Sequence, residues 1–236
     1  MSKARKLLTI LRYADMRRAL FKHQVAAATE HLGALAMMKP AALVDVGANK
    51  GQFSLACAAL FPDVTIHAFE PLPQAASRFD AVFAGRQNVH LHRHAIGTVA
   101  GQTTFHVADR EDSSSLLEPQ KAQREAYGVS SAGQMQVEVK PLADALDVSL
   151  LPSPRALKLD VQGAELDALQ SAGSLSDFDF IYAELSFIEL YSNQPLSEDV
   201  YAYLRAQGFA LRGVFNLSET KAFGPTQVDA LFVKAA

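Results

Sequence analysis

From Pro40 onward the chain alternates short apolar, strand-like runs with segments of helical period, and this alternation restricts the fold more than any other feature. Strands are predicted at residues 42–48, 64–70, 89–96, 157–161 and 181–185, with helices at 52–60, 74–84, 165–172 and 197–207. A strand, a crossover helix and a further strand imply a parallel pair, so the sheet should be covered on both faces. The last two predicted strands, 210–215 and 230–234, have no helix between them and must therefore run antiparallel. The expected architecture is α/β: a doubly wound, mostly parallel sheet with a reversed C-terminal strand. A chain of 236 residues suits one such domain, residues 40–236, preceded by an N-terminal helical segment at 1–39. In that segment Leu7, Ile10, Leu11 and Ala14 share one helical face, as do Ala28, Leu32, Leu35 and Ala36, and Pro40 ends the run.

Between the third and fourth predicted strands lies an insertion. Residues 103–107 and 136–139 look like short strands, and residues 109–134 between them are polar, with Ser113-Ser114-Ser115 and no clear periodicity beyond a turn near 120–126. A loop of this length in a compact domain is functional or disordered. We expect a mobile lid over a ligand pocket, with the serines offering hydroxyls and Tyr127 closing over a ring.

The sharpest local signal is Val44-Asp45-Val46-Gly47-Ala48-Asn49-Lys50-Gly51-Gln52-Phe53: an apolar strand, a Gly-rich turn, then an apolar helix. Such a loop can present free backbone N–H groups to an anion, either a pyrophosphate or the carboxylate of an amino-acid moiety. Glu70 ends the next strand, where a carboxylate can accept hydrogen bonds from ribose hydroxyls. A dinucleotide site wants a second glycine two positions after the first, and Asn49 stands there instead. None of the six tyrosines is followed four residues later by the lysine of a short-chain dehydrogenase. An NAD(P)-binding oxidoreductase is thereby disfavoured, though it stays open beside a non-catalytic binding module.

Taken together, these residues resemble the FkbM family of methyltransferases. The resemblance runs from about Leu43 to Val233 and rests on four blocks. They are Val44 to Gly51; Phe69-Glu70-Pro71; Leu157-Lys158-Leu159-Asp160-Val161-Gln162-Gly163-Ala164-Glu165; and Glu184 followed by Leu190-Tyr191. The third block is the most specific, and the family's usual acidic residue before its glycine is Gln162 here. The resemblance implies a Rossmann-like class I methyltransferase fold, whose sheet also ends in a reversed strand. It further implies S-adenosyl-L-methionine as cofactor and O-methylation of a small molecule, sugar or glycan. The cofactor residues expected are Asp45, Gly47, Asn49, Gly51, Phe53, Glu70, Pro71, His94, Ala95 and Asp160.

Methyl transfer to a hydroxyl needs the acceptor held in line and its proton removed. Along the fourth strand Lys158, Asp160 and Gln162 alternate with Leu157, Leu159 and Val161, placing a polar set on one face of a central strand. Asp160, at the carboxyl end where open α/β sheets bind ligands, is the first catalytic candidate, against a structural pairing with Lys158. Glu184, at the end of the fifth strand, is the second, against a helix-capping role. Glu165, in a first helical turn, is favoured there by the helix dipole alone. His90, His92 and His94 alternate on the third strand, but an edge strand exposes such side chains to water, so no metal site is expected. His67, inside an apolar strand, reads as a core histidine, and Cys57, the sole cysteine, as a buried small side chain.

Net charge is −3 but unevenly spread: residues 1–22 carry seven Lys and Arg against Asp15 alone, leaving the remainder strongly acidic. An acidic catalytic domain argues against a nucleic-acid partner. The basic segment could touch anionic lipid, roof the substrate cleft or form a homodimer contact, its bland alternative being a solvated face. Its apolar stretch is too short for a signal peptide, and no run is long enough for stable membrane insertion, so a cytoplasmic location is expected.

Overall fold

The computed structural model describes residues 3–109 and 113–235. Seven strands form the main sheet in the order β3-β2-β1-β7-β8-β10-β9. These are β1 (Ala42–Val46), β2 (Thr65–Phe69), β3 (Val89–His92), β7 (Arg155–Leu159), β8 (Phe180–Ser186), β9 (Phe209–Thr220) and β10 (Gly224–Lys234). β1, β2, β3, β7 and β8 are mutually parallel, while β10 runs antiparallel to both β8 and β9. The doubly wound, mostly parallel sheet with a reversed C-terminal strand is thus present, as the missing final crossover helix required.

Alternation along the strands sends side chains to two separate cores. Leu43, Ile66, Ala156 and Tyr182 face α4 (Gln52–Leu60), α5 (Pro73–Phe83) and the N-terminal helices. Val44, Leu157, Ile181 and Phe232 face α8 (Glu165–Gln170) and α9 (Ser197–Ala206). α5 opens on Pro73, where the missing N–H costs nothing.

The N-terminal segment is not one continuous helix. α1 (Lys3–Arg12) and α2 (Ala14–His23) break at Tyr13, and an irregular stretch followed by a 3-10 turn (Thr29–His31) precedes α3 (Leu32–Met38). Gln24 and Lys39 end α2 and α3 in left-handed conformations. The apolar face expected for α1 is also split. Ile10 is buried, but Leu7 and Leu11 are exposed, because α1 turns its Lys6–Thr9–Ile10 side to the protein. Even so, Ile10, Met16, Ala19, Leu35 and Met38 share a core with Leu43 and Ala56.

The third predicted strand is likewise divided. β3 stops at His92, and β4 (Ala95–Ile96) joins a separate sheet, β4-β6-β5, with β5 (Gly101–Ala108) and β6 (Ser131–Lys140). β3 is the edge strand of the large sheet, and the chain beyond it leaves that sheet to pair with the inserted hairpin, Ala95 with Val139. α6 (Lys121–Tyr127) lies in the connection between β5 and β6, and α7 (Leu142–Ala145) follows β6.

Candidate active site

Register brings three strand ends to one rim. Val46 lies between Phe69 of β2 and Leu159 of β7, so the loops after β1, β2 and β7 meet where the strand order reverses about β1. Open α/β sheets bind ligands at this point. Here it opens into a cavity of about 490 Å³, within the range of small-molecule sites.

The Gly-rich turn forms one wall. Gly47 has φ +77°, and a Cβ there would lie 1.9 Å from the Asp160 carbonyl, so any other residue would push β1 and β7 loops apart. Gly51 does not line the cavity: its missing Cβ makes room for Phe79 and Phe83 of α5, a packing role in place of the expected cofactor contact. The turn was also expected to leave free N–H groups for an anion. Instead Gly47 and Ala48 donate to Phe69 O, Asn49 to Glu70 Oε2, Lys50 to Gln52 Oε1 and Gly51 to Ala48 O. The wall is shaped by these bonds and is not an anion cradle.

Glu70 follows β2 and lines the cavity while only 5% exposed. Oε2 accepts the Asn49 N–H and Oε1 the Leu72 N–H, both at 2.8 Å, which fixes the carboxylate and leaves lone pairs for a ligand. Burial outweighs those hydrogen bonds and pushes its pKa up to about 7. Asn49 adds a buried Oδ1 with no partner among the described residues. Pro71, Leu72, Ala95, Ile96 and Phe105 give the cavity an apolar side. His94 does not reach it: the ring sits edge-on to Phe69, its Nδ1 3.1 Å from Ala95 O, because the chain turns from one sheet to the other at that residue.

Asp45 is the clearest departure from the expected cofactor set. It is fully buried beneath the cavity, where Oδ2 accepts from Ser54 Oγ at 2.6 Å and Oδ1 pairs with Lys158 Nζ at 3.0 Å. Lys158 also donates to Gly47 O at 2.8 Å. Burial alone would push Lys158 down, but Asp45 and Asp160 outweigh it and hold the ammonium above its ordinary value. The structural partner of Lys158 is therefore Asp45. Asp160 stands 3.9 Å away, its side chain 43% exposed, and it lines the cavity.

Gln162 explains its own departure from the acidic pattern. Its amide Nε2 donates to Asp160 Oδ1 at 2.7 Å and to Glu184 Oε2 at 3.1 Å, so a third carboxylate there would face two others. Tyr191 OH binds Gln162 Oε1 at 3.0 Å. Glu184 accepts from Gln227 as well and does not line the cavity; it caps no helix. Burial, then Asp160 and Asp229, push its carboxyl well above the usual range. Glu165 does more than meet a dipole, since its carboxylate accepts the Val161 and Gly163 N–H groups and shapes the turn after β7.

The insertion is stitched to this rim. Ser114 Oγ accepts from Ala108 N–H and Ser115 Oγ donates to Gln162 O; both are buried, and of the three serines Ser114 borders the cavity. Tyr127 OH is held by Gln227 Oε1 at 2.6 Å and cannot also close over a ring. Arg110–Asp112, part of the expected lid, lie outside the described residues. On the edge strand His92 stacks on Phe69 and meets His67 at 3.0 Å, and burial lowers the His67 pKa to about 4. His94 lies beyond β3, so the three alternating histidines do not share one strand.

The N-terminal segment also walls the cavity, through Lys6, Gln24–Ala26, Glu30 and His31, with Lys6 paired to Glu30 at 2.8 Å. His31 was not foreseen. Its Nδ1 lies 2.9 Å from Tyr182 OH and 3.3 Å from Asp229 Oδ2, while its ring packs edge-on against Phe53. The only signals in the sequence were Tyr182 and Asp229 interrupting apolar strands.

The methyltransferase FkbM domain matches this chain over residues 45–211. Among curated proteins, the 2-O-methyltransferase NoeI of Sinorhizobium fredii is 30% identical over 160 residues, 64% of this chain and 66% of that protein. The chain thus spans just under two thirds of that relative's length. Methyltransferase 1 of Beauveria bassiana is 27% identical over 188 residues, 72% of each chain. A crystal structure of a putative O-methyltransferase from Klebsiella pneumoniae superposes with a TM-score of 0.50 over 97% of this chain and 90% of that one, at 12% identity, a likeness of fold.

Proposed function

Because the chain belongs to the FkbM-domain methyltransferase family, we propose that it uses S-adenosyl-L-methionine to methylate a hydroxyl of a small molecule, sugar or glycan. The observation that carries this reading is Glu70, a buried carboxylate fixed by two backbone N–H groups at the wall of the cavity. It suits a ribose diol. The unpaired Asn49 Oδ1 suits the amino-acid ammonium, and the apolar side around Ala95, Ile96 and Phe105 suits adenine. The relative named as a 2-O-methyltransferase supports oxygen as the acceptor atom.

The cofactor supplies an electrophilic methyl on a sulfonium, and the chain supplies position and a proton acceptor. Asp160 and His31 also line the cavity. Asp229 and Tyr182 orient the His31 ring from Nδ1, which leaves Nε2 to take the acceptor's proton as the C–S bond breaks and the O–C bond forms. Glu184 acts through Gln162 as a positioning residue for Asp160.

The test is thermal. S-adenosylhomocysteine at about 100 times Kd should add about 2.7 kcal/mol to the native state, a rise of roughly 5–11 °C for a domain of this size. NAD should leave the melting temperature unchanged. Stabilisation by NAD and none by S-adenosylhomocysteine would return the reading to an oxidoreductase. Tritiated S-adenosylmethionine offered with a panel of sugars, glycans and small alcohols then finds the acceptor.

The same affinity should depend on pH. With its pKa raised to about 7, Glu70 is protonated in the free protein below that pH, and the ribose needs the carboxylate. Affinity for S-adenosylhomocysteine is expected to fall about tenfold from pH 8 to pH 6, the ratio that a single group near 7 imposes. Isothermal titration at the two pH values checks it; a flat profile would place the carboxyl elsewhere.

A further inference from the structure

Beyond the methyl-transfer site, we propose that α1 and α2 form a docking surface for an anionic membrane. In an ordinary surface helix the outward stripe is polar. In α1 it is Ala4, Leu7, Leu8 and Leu11, spaced i, i+3, i+4, i+7, and all four are exposed, Leu8 at 63%. The outward stripe of α2 continues it. Arg17 donates to Leu11 O across the break at Tyr13, and Phe21, one turn further on the same stripe as Arg17, is 71% exposed.

Positive charge borders this apolar ridge. Lys3, Arg5, Arg12, Arg18 and Lys22 are all exposed beside it, whereas Asp15, the sole acid in the two helices, is paired with Arg86. A basic rim around an apolar ridge matches the two parts of an anionic bilayer surface, headgroup and acyl boundary. A second copy of the chain fits less well, because a two-fold contact would set the same cations against each other. The acidic remainder of the chain would be repelled by such a surface, so charge also selects the orientation. No helix among the described residues is long and apolar enough to cross a membrane, which restricts the contact to the interface. Lys6, on the inner side of α1, borders the cavity, so one of the docked helices also contributes to the wall of the site.

Co-sedimentation of the full chain with vesicles decides. Phosphatidylcholine vesicles containing 30% phosphatidylglycerol should bind about tenfold more protein than pure phosphatidylcholine, and 500 mM salt should remove the difference. The double variant Leu8→Glu/Phe21→Glu should abolish binding while keeping the wild-type melting temperature, since both side chains are exposed. Arg18→Glu/Lys22→Glu should do the same. Absence of binding to either vesicle overturns the proposal, as does binding that survives both variants. A dimer in sedimentation velocity that Leu8→Glu/Phe21→Glu dissolves, without vesicle binding, would assign the ridge to a second copy instead.

Discussion

Glu70→Gln is expected to weaken S-adenosylhomocysteine binding by about 100-fold or more, since two ribose hydrogen bonds to a charged group are worth about 1.5–3 kcal/mol each. The choice of glutamine follows from the loop. Glu70 accepts from Asn49 N–H and Leu72 N–H, so alanine would strand two buried donors at about 1–3 kcal/mol apiece and confuse binding with folding. Glutamine keeps one acceptor oxygen and turns an amide toward the other donor, so a smaller loss of stability is expected and the protein stays folded. It also removes the titrating group, so the residual affinity should no longer vary between pH 6 and pH 8. Isothermal titration on protein with a cooperative melt reads both effects. An unchanged affinity in the folded variant would show that the ribose is held by another group.

Lys158→Met is expected to cost about 3–5 kcal/mol of stability, the usual loss when one partner of a buried ion pair is removed. The side chain is almost wholly buried, and its departure leaves the fully buried Asp45 with only Ser54 Oγ, while Gly47 O loses its donor. At roughly 2–4 °C per kcal/mol the melting temperature should fall by roughly 6–20 °C. Asp160→Asn supplies the contrast. Its side chain is 43% exposed and 3.9 Å from the ammonium, so stability should change by about 0.5 kcal/mol or less, whereas methyl transfer should collapse. Equal losses of stability in the two variants would mean that Lys158 is held by Asp160 after all. Differential scanning calorimetry separates the outcomes without any acceptor.

The order of elements was legible in the amino-acid sequence, because strand and helix periods are local properties of a few neighbouring residues. The same locality made the strand-to-turn-to-helix block around Gly47, the position of Glu70 and the reversed final strand readable. What lay beyond it were decisions made by distant partners. Whether Asp45 served a ligand or a buried lysine depended on Lys158, brought beside it only when β1 and β7 pair. His31 is held by Tyr182, Asn216 and Asp229, which share no spacing along the chain and meet only across the sheet. The third strand broke at His92 because a hairpin inserted after it offered Ala95 a second sheet. The helical face read from Leu7, Ile10, Leu11 and Ala14 was split by the fold, which buried Ile10 and left Leu7 and Leu11 exposed, since periodicity marks which residues lie together but not what covers them.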